Sequence, residues 1–144
     1  NVPVTILASD LDTSVLASAA KGVYPPDRVE RISRERLSRF FVKGSGTQEG
    51  HFTVRPELRR LISFQRLNLL EPNWPVRAPL DVLFCRNVMI YFDKATQFRI
   101  LSRFAPLMSD TGLLFAGHSE SFLHATDLFR SQGKTVYELA SRPC

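Results

Sequence analysis

The chain has no apolar run of the roughly 18 residues that a membrane-spanning helix needs, and only two cysteines and three histidines in 144 residues. The first scarcity excludes a membrane-spanning helix. The second excludes a disulfide scaffold, so Cys85 and Cys144 read as free thiols of a reducing cytoplasm. No Cys/His spacing suggests zinc, and His51 and His124 stand alone and read as surface residues. The opening Asn1-Val-Pro-Val-Thr-Ile6 carries no basic n-region, so no signal peptide is read there. It also lacks a polar lead-in and enters a strand almost at once, so a fragment is expected. Internal repeats and low-complexity tracts are absent. The run Gly44-Ser-Gly-Thr-Gln-Glu-Gly50 is followed by neither a helix nor a Lys-Ser/Thr pair, which argues against a phosphate-binding loop. His118-Ser119-Glu120 leads into Ser121, not the glycine of a nucleophile elbow, which argues against a hydrolase.

What is present is enough for one core: 44% of the residues are hydrophobic and 23% charged. The formal net charge is +5, which favours an acidic partner. Much of the excess lies between Arg28 and Arg60, including Arg34, Arg36, Arg39, Lys43, Arg55 and Arg59. That segment is either a solvated face or a docking surface.

Strands and helices alternate along the chain. Val4–Ala8 predicts a strand and Asp12 or Thr13 a helix cap. Val15, Leu16, Ala19 and Ala20 then share a helical face, and Gly22 ends the helix. Val23-Tyr-Pro-Pro26 predicts a loop. A short helix opens at Ser33. Phe41–Lys43 and His51–Arg55 flank the glycine-rich loop and predict a hairpin. A helical turn follows Pro56, and a strand covers Ile62–Leu67. Ala95–Met108 predicts a helix with Ile100, Leu101, Phe104, Leu107 and Met108 in one apolar stripe. Leu113–Ala116 predicts a buried strand after the turn Asp110-Thr-Gly112. Phe129–Ser131 and Thr135–Leu139 predict an antiparallel pair that closes the sheet. This rhythm predicts an α/β doubly wound fold over 1–144, interrupted at 33–61 by an inserted small antiparallel β-subdomain.

The most informative stretch is Asp81-Val-Leu-Phe-Cys-Arg-Asn-Val-Met-Ile-Tyr-Phe-Asp93. Its apolar start, within Leu80–Cys85, suits a strand buried on both faces. Ligand crevices in such sheets lie at the carboxyl ends of strands, which singles out Arg86, Asn87 and Tyr91. Tyr91 has the alternative of a core aromatic with a wet hydroxyl. Asp10, at the end of the first strand, can accept both hydroxyls of a ribose or serve as a cap. Asn68 and Leu69, just past a strand, can grip an adenine edge and face or simply form a turn.

Taken together these residues resemble the chemotaxis receptor methyltransferases of the CheR type. The segments that carry the resemblance are Ala8–Thr13, Gly44–Gly50, Asn68–Leu70, Phe84–Asp93, Gly112–Glu120 and Gly133–Tyr137, and they run from one end of the chain to the other. The resemblance implies a class I S-adenosylmethionine methyltransferase-like sheet and methyl transfer to chemoreceptor glutamates in the cytoplasm, with S-adenosylhomocysteine as product. It implies Asp10 on the cofactor ribose, Asn68 and Leu69 on the adenine, Arg86 and Asn87 along the methionine part, and Tyr91 with Arg86 at the transferred methyl. It further implies that the hairpin, through Gly44, Gly46, Gly50 and Arg55, docks a receptor-tail peptide. The family's N-terminal helical domain and first strand have no counterpart in these residues. The fragment alone is therefore expected to be inactive and to self-associate. A non-catalytic peptide-binding module is the alternative reading. No nucleic acid partner, metal or membrane insertion is expected.

Overall fold

A computed structural model describes residues 3–140; Cys144 lies outside the described residues. The chain divides into two compact units, residues 1–74 and 75–144.

In the first unit, β1 (Ile6–Asp10) lies parallel to β5 (Ile62–Arg66), with Asp10 opposite Arg66. Between them in sequence come α1 (Thr13–Lys21), β2 (Val23–Tyr24), α2 (Pro26–Val29), α3 (Arg34–Phe40), β3 (Phe41–Lys43), β4 (Phe52–Val54) and α4 (Pro56–Arg59). Asp12 caps α1 through Oδ1, which accepts from Ser14 and Val15 N–H. Gly22 ends the helix in the left-handed conformation that glycine adopts without penalty. Arg59 also reaches that end and donates to the Ala20 carbonyl at 2.7 Å, where a cation suits the helix dipole. Val15 departs from the expected apolar face and is exposed. In a nine-residue helix only Leu16, Ala19 and Ala20 are partly covered.

The predicted hairpin forms: β3 and β4 pair antiparallel, and Gly44 N–H closes on His51 O. Val23 and Tyr24, expected in a loop, instead pair with β4 as a third strand. A two-residue strand is too short for alternation to reveal it; its neighbour supplies the pairing.

In the second unit the sheet order is β6 (Leu80–Cys85), β7 (Met108–Ala116), β9 (Val136–Leu139), β8 (Phe129–Gly133). β6 and β7 are parallel; β9 runs antiparallel to both its neighbours. The antiparallel closing pair is therefore as expected. The helix α5 (Lys94–Phe104) is shorter than expected. Its last turn tightens to a 3-10 turn at Ala105–Leu107, where Pro106 carries no N–H for an α-helical bond. Met108 then opens β7, and the expected turn at 110–112 lies inside that strand. The register shift between Leu80 and Val82 accommodates it.

The expectation that β6 is buried on both faces is overturned. It is a sheet edge, with Val82 49% and Phe84 70% exposed. Phe84 stacks on Phe115 of β7, ring centroids 4.8 Å apart. An edge strand has one neighbour, so an apolar composition that suits a central strand is left uncovered. The largest fully buried side chains of this unit are Met89, Ile100, Leu101, Leu114, Phe122 and Phe129.

Candidate active site

In the first unit, the carboxyl ends of the parallel pair bring two candidates together. Asp10 is the last residue of β1, and its carbonyl accepts from Leu67 N–H at 3.0 Å. Asn68 and Leu69 follow directly, both half-buried. Each polar side chain also organises its own loop. Asp10 Oδ1 accepts from Asp12 N–H at 2.9 Å, and Asn68 Oδ1 from Leu70 N–H at 2.9 Å. These bonds fix where the carboxylate and the amide stand at the strand ends. A carboxylate for a ribose diol beside an amide for a base edge is a donor and acceptor set that fits a nucleoside.

In the second unit, Arg86 and Asn87 follow Cys85 at the carboxyl end of β6, where Cys85 sits opposite Ala116. Both are exposed. Asn87 has φ 59°, a left-handed conformation that asparagine tolerates better than most residues. Tyr91 closes a 3-10 turn, Met89–Tyr91, and is 80% exposed. The core-aromatic alternative for Tyr91 is thereby removed. Cys85 is buried and free, and its thiol is pushed up to about 12 by burial and by the negative charge of Glu120. It is thus neutral and unreactive at physiological pH.

Glu120, discounted in the sequence as part of a failed hydrolase motif, holds this turn. It is 7% exposed. Oε1 accepts from Val88 N–H at 2.9 Å and Met89 N–H at 2.7 Å. Oε2 accepts from Asn87 N–H at 2.9 Å and Gly117 N–H at 2.5 Å. Burial opposes ionisation, but these four backbone donors outweigh it and hold the carboxyl below its ordinary range. From α5, buried Gln97 donates through Nε2 to the carbonyls of Met89 at 2.8 Å and Phe92 at 3.0 Å. Gln97 had a readable signal: it is a polar residue one turn before Ile100 and Leu101, on the same helical face. Glu120 had a weaker one, an acid close behind a buried strand.

A cavity of about 320 Å³ behind this clamp is lined by Met89, Phe92, Lys94, Gln97, Ser119 and Glu120, with Ile90 and Ser121. Its lining includes none of Arg86, Asn87 and Tyr91. His124, read as a surface residue, is half-buried with Nε2 enclosed. Burial, and then the charge of Lys94, lower its pKa.

In the hairpin, Gly46 and Gly50 have positive φ and open space where a side chain would stand. Gly44 closes the β3–β4 ladder. Arg55 turns inward and donates to the Ser38 carbonyl at 3.3 Å. The β2–β4–β3 order leaves β3 as an edge.

Residues 1–138 match the family described as "CheR methyltransferase, SAM binding domain". The chain is 52% identical to chemotaxis protein methyltransferase 2 of Pseudomonas aeruginosa, over 96% of this chain and 49% of that protein. It is 47% identical to the chemotaxis protein methyltransferase of Escherichia coli, over 94% of this chain and 47% of that protein. A probable chemotaxis protein methyltransferase of Rhizobium etli is 38% identical over 95% of this chain and 51% of that protein. The chain spans about half the length of the curated relatives it matches. With a match of this extent and relatives this similar, the chain belongs to the CheR methyltransferase family.

Proposed function

We propose that this chain is the cofactor-handling part of an S-adenosylmethionine-dependent methyltransferase that modifies glutamate side chains of chemoreceptors, built on a class I doubly wound sheet and working in the cytoplasm. The observation that carries this reading is the meeting of Asp10 and Asn68 at the carboxyl ends of two parallel strands, in a family described as binding S-adenosylmethionine. Asp10 holds the ribose hydroxyls, while Asn68 and Leu69 hold the adenine. Arg86 and Asn87 line the methionine end. The cofactor supplies a methyl group activated on a sulfonium, and S-adenosylhomocysteine is what remains. A glutamate carboxylate is already ionised at pH 7, so the protein needs no general base. Its task is alignment and partial exclusion of water. Arg86 orients the incoming carboxylate without neutralising it, and the exposed Tyr91 hydroxyl orients the reacting groups.

Calorimetric titration of Asp10→Asn in a full-length protein checks the first role. S-adenosylmethionine affinity is expected to fall by about 1–3 kcal/mol, the cost of poorly paired polar groups in a site. Unchanged affinity removes Asp10 from the site. In the complete enzyme, Tyr91→Phe is expected to lower turnover more than cofactor affinity; equal losses reduce Tyr91 to a structural role.

A second reading, a receptor-tail peptide module at 33–61, rests on the open edge of β3. A peptide adds there as a strand, next to Gly44, Gly46 and Gly50, with Arg55 meeting an acidic group once it leaves Ser38. NMR titration with the tail peptide is expected to shift signals within 41–55; silence there ends the reading. The open edges of β1 and β6 also favour self-association. Light scattering checks this, and a monomer at all concentrations refutes it.

A further inference from the structure

The ladder between β6 and β7 stops at Cys85 and Ala116. Beyond it the backbone turns through Asn87 in the left-handed region, with Val88 at φ −118°, ψ −43°. That sequence of conformations makes consecutive N–H groups converge, forming a concavity that suits an anion. The amides of Asn87, Val88 and Met89 all point at one group, the Glu120 carboxylate.

We propose that Glu120 is a positioning residue for the methyl transfer proposed above: its buried carboxylate sets the turn on which Arg86, Asn87 and Tyr91 stand.

Three observations carry this. First, the bonding requires an ionised carboxylate. Each oxygen accepts two backbone N–H bonds. A glutamine has one acceptor oxygen, and its amide nitrogen would face N–H groups donor to donor. Second, the approach is tight. A side chain on Gly117 would place its Cβ 2.5 Å from Asn87 Oδ1 and 2.7 Å from Glu120 Oε2, so glycine is needed there for space. Third, the turn is held from its other side as well. Gln97 takes the carbonyls of Met89 and Phe92, so both backbone polar groups of Met89 are anchored, and its side chain is wholly enclosed. Arg86, Asn87 and Tyr91 are exposed, so no enclosing core fixes them as a buried residue is fixed. Their backbone is the part that is held. A reaction that depends on alignment needs such support, because a displacement of about 1 Å can cost on the order of a hundredfold in rate.

The test uses Glu120→Gln and Glu120→Asp in the full protein, with backbone amide NMR, S-adenosylmethionine affinity and methyl transfer measured on each. In Glu120→Gln the amide protons of Asn87, Val88, Met89 and Gly117 are expected to shift and lose exchange protection. Turnover is expected to fall roughly tenfold to a hundredfold, by a larger factor than cofactor affinity. Glu120→Asp keeps the charge on a shorter arm and is expected to fall between wild type and Glu120→Gln. It decides the matter if the glutamine variant does not fold. Unmoved amides overturn the proposal, as does full turnover in a folded variant whose amides have moved. If wild type neither binds the cofactor nor transfers a methyl group, the proposed function fails, and the amide signals alone then decide whether Glu120 holds the turn.

Discussion

The two compact units are built from similar strands and differ in what covers them. In unit 75–144, Ile100, Leu101, Leu114, Phe122 and Phe129 are almost wholly enclosed. In unit 1–74, Val29 is the apolar side chain buried to that degree among the described residues, while Val4, Ile6, Leu7, Leu11 and Val15 are exposed. Both units have well-formed strand ladders. A ladder satisfies backbone groups, but stability comes mostly from apolar area removed from water. The second unit is therefore expected to be the stable one, and the first to open more readily.

The comparison is broken most directly in the core. Phe122→Ala is expected to cost about 3–5 kcal/mol in urea unfolding. Leu7→Ala is expected to cost under about 1 kcal/mol, since the side chain is already 37% exposed. Equal costs would mean that the first unit has a core after all. Next in size is Gln97→Ala, which removes the side-chain donor to the carbonyls of Met89 and Phe92, of which Met89 keeps Phe92 N–H. A loss of about 1–3 kcal/mol is expected, together with faster hydrogen exchange at residues 89–92. In the first unit, Asp12→Ala removes the cap of α1 at a cost of about 1 kcal/mol, read from the same unfolding curves.

The smallest effect sharpens the contrast through pH. Glu120 is held below its ordinary carboxyl range by the four amides against the opposing effect of burial. Asp93 is also lowered, chiefly by Thr96 N–H at the start of α5. A lowered folded value contributes stability that is complete above the unfolded pKa and lost as pH falls through the folded one. Both groups belong to the second unit. Its melting temperature is expected to fall in acid below the ordinary carboxylate range, and the gap between wild type and Glu120→Gln to narrow there. A constant gap would show that the charge of Glu120 is not what holds the turn.

Much of the architecture was legible in the residues. Asp12 and Ser33 announce their helices and bond as caps. The glycine-rich loop announces a hairpin, and β8 and β9 pair as alternation about Gly133 suggests. Less legible were features that depend on a distant partner. Val23–Tyr24 is a strand because β4 lies beside it. β6 looks central by composition and is an edge by neighbourhood. For the site, Asp10 and Asn68 were singled out separately, and the parallel pairing of β1 and β5 joins them. Glu120 was weighed only within a hydrolase motif that lacks the elbow glycine, and its structural role was not legible because three of its four N–H partners lie more than thirty residues away in sequence.

The sequence by itself determined the local events: where helices start, where glycine lets the chain turn, which runs extend, and which polar residues end the strands. Those depend on dihedral preferences and on bonds within a few residues. Only the tertiary structure decided which apolar runs are covered, which strand is an edge, and that an acid after β7 locks the turn after β6. Burial and long-range hydrogen bonding are properties of pairs, and a residue's type fixes what it can bond, not what is brought to it.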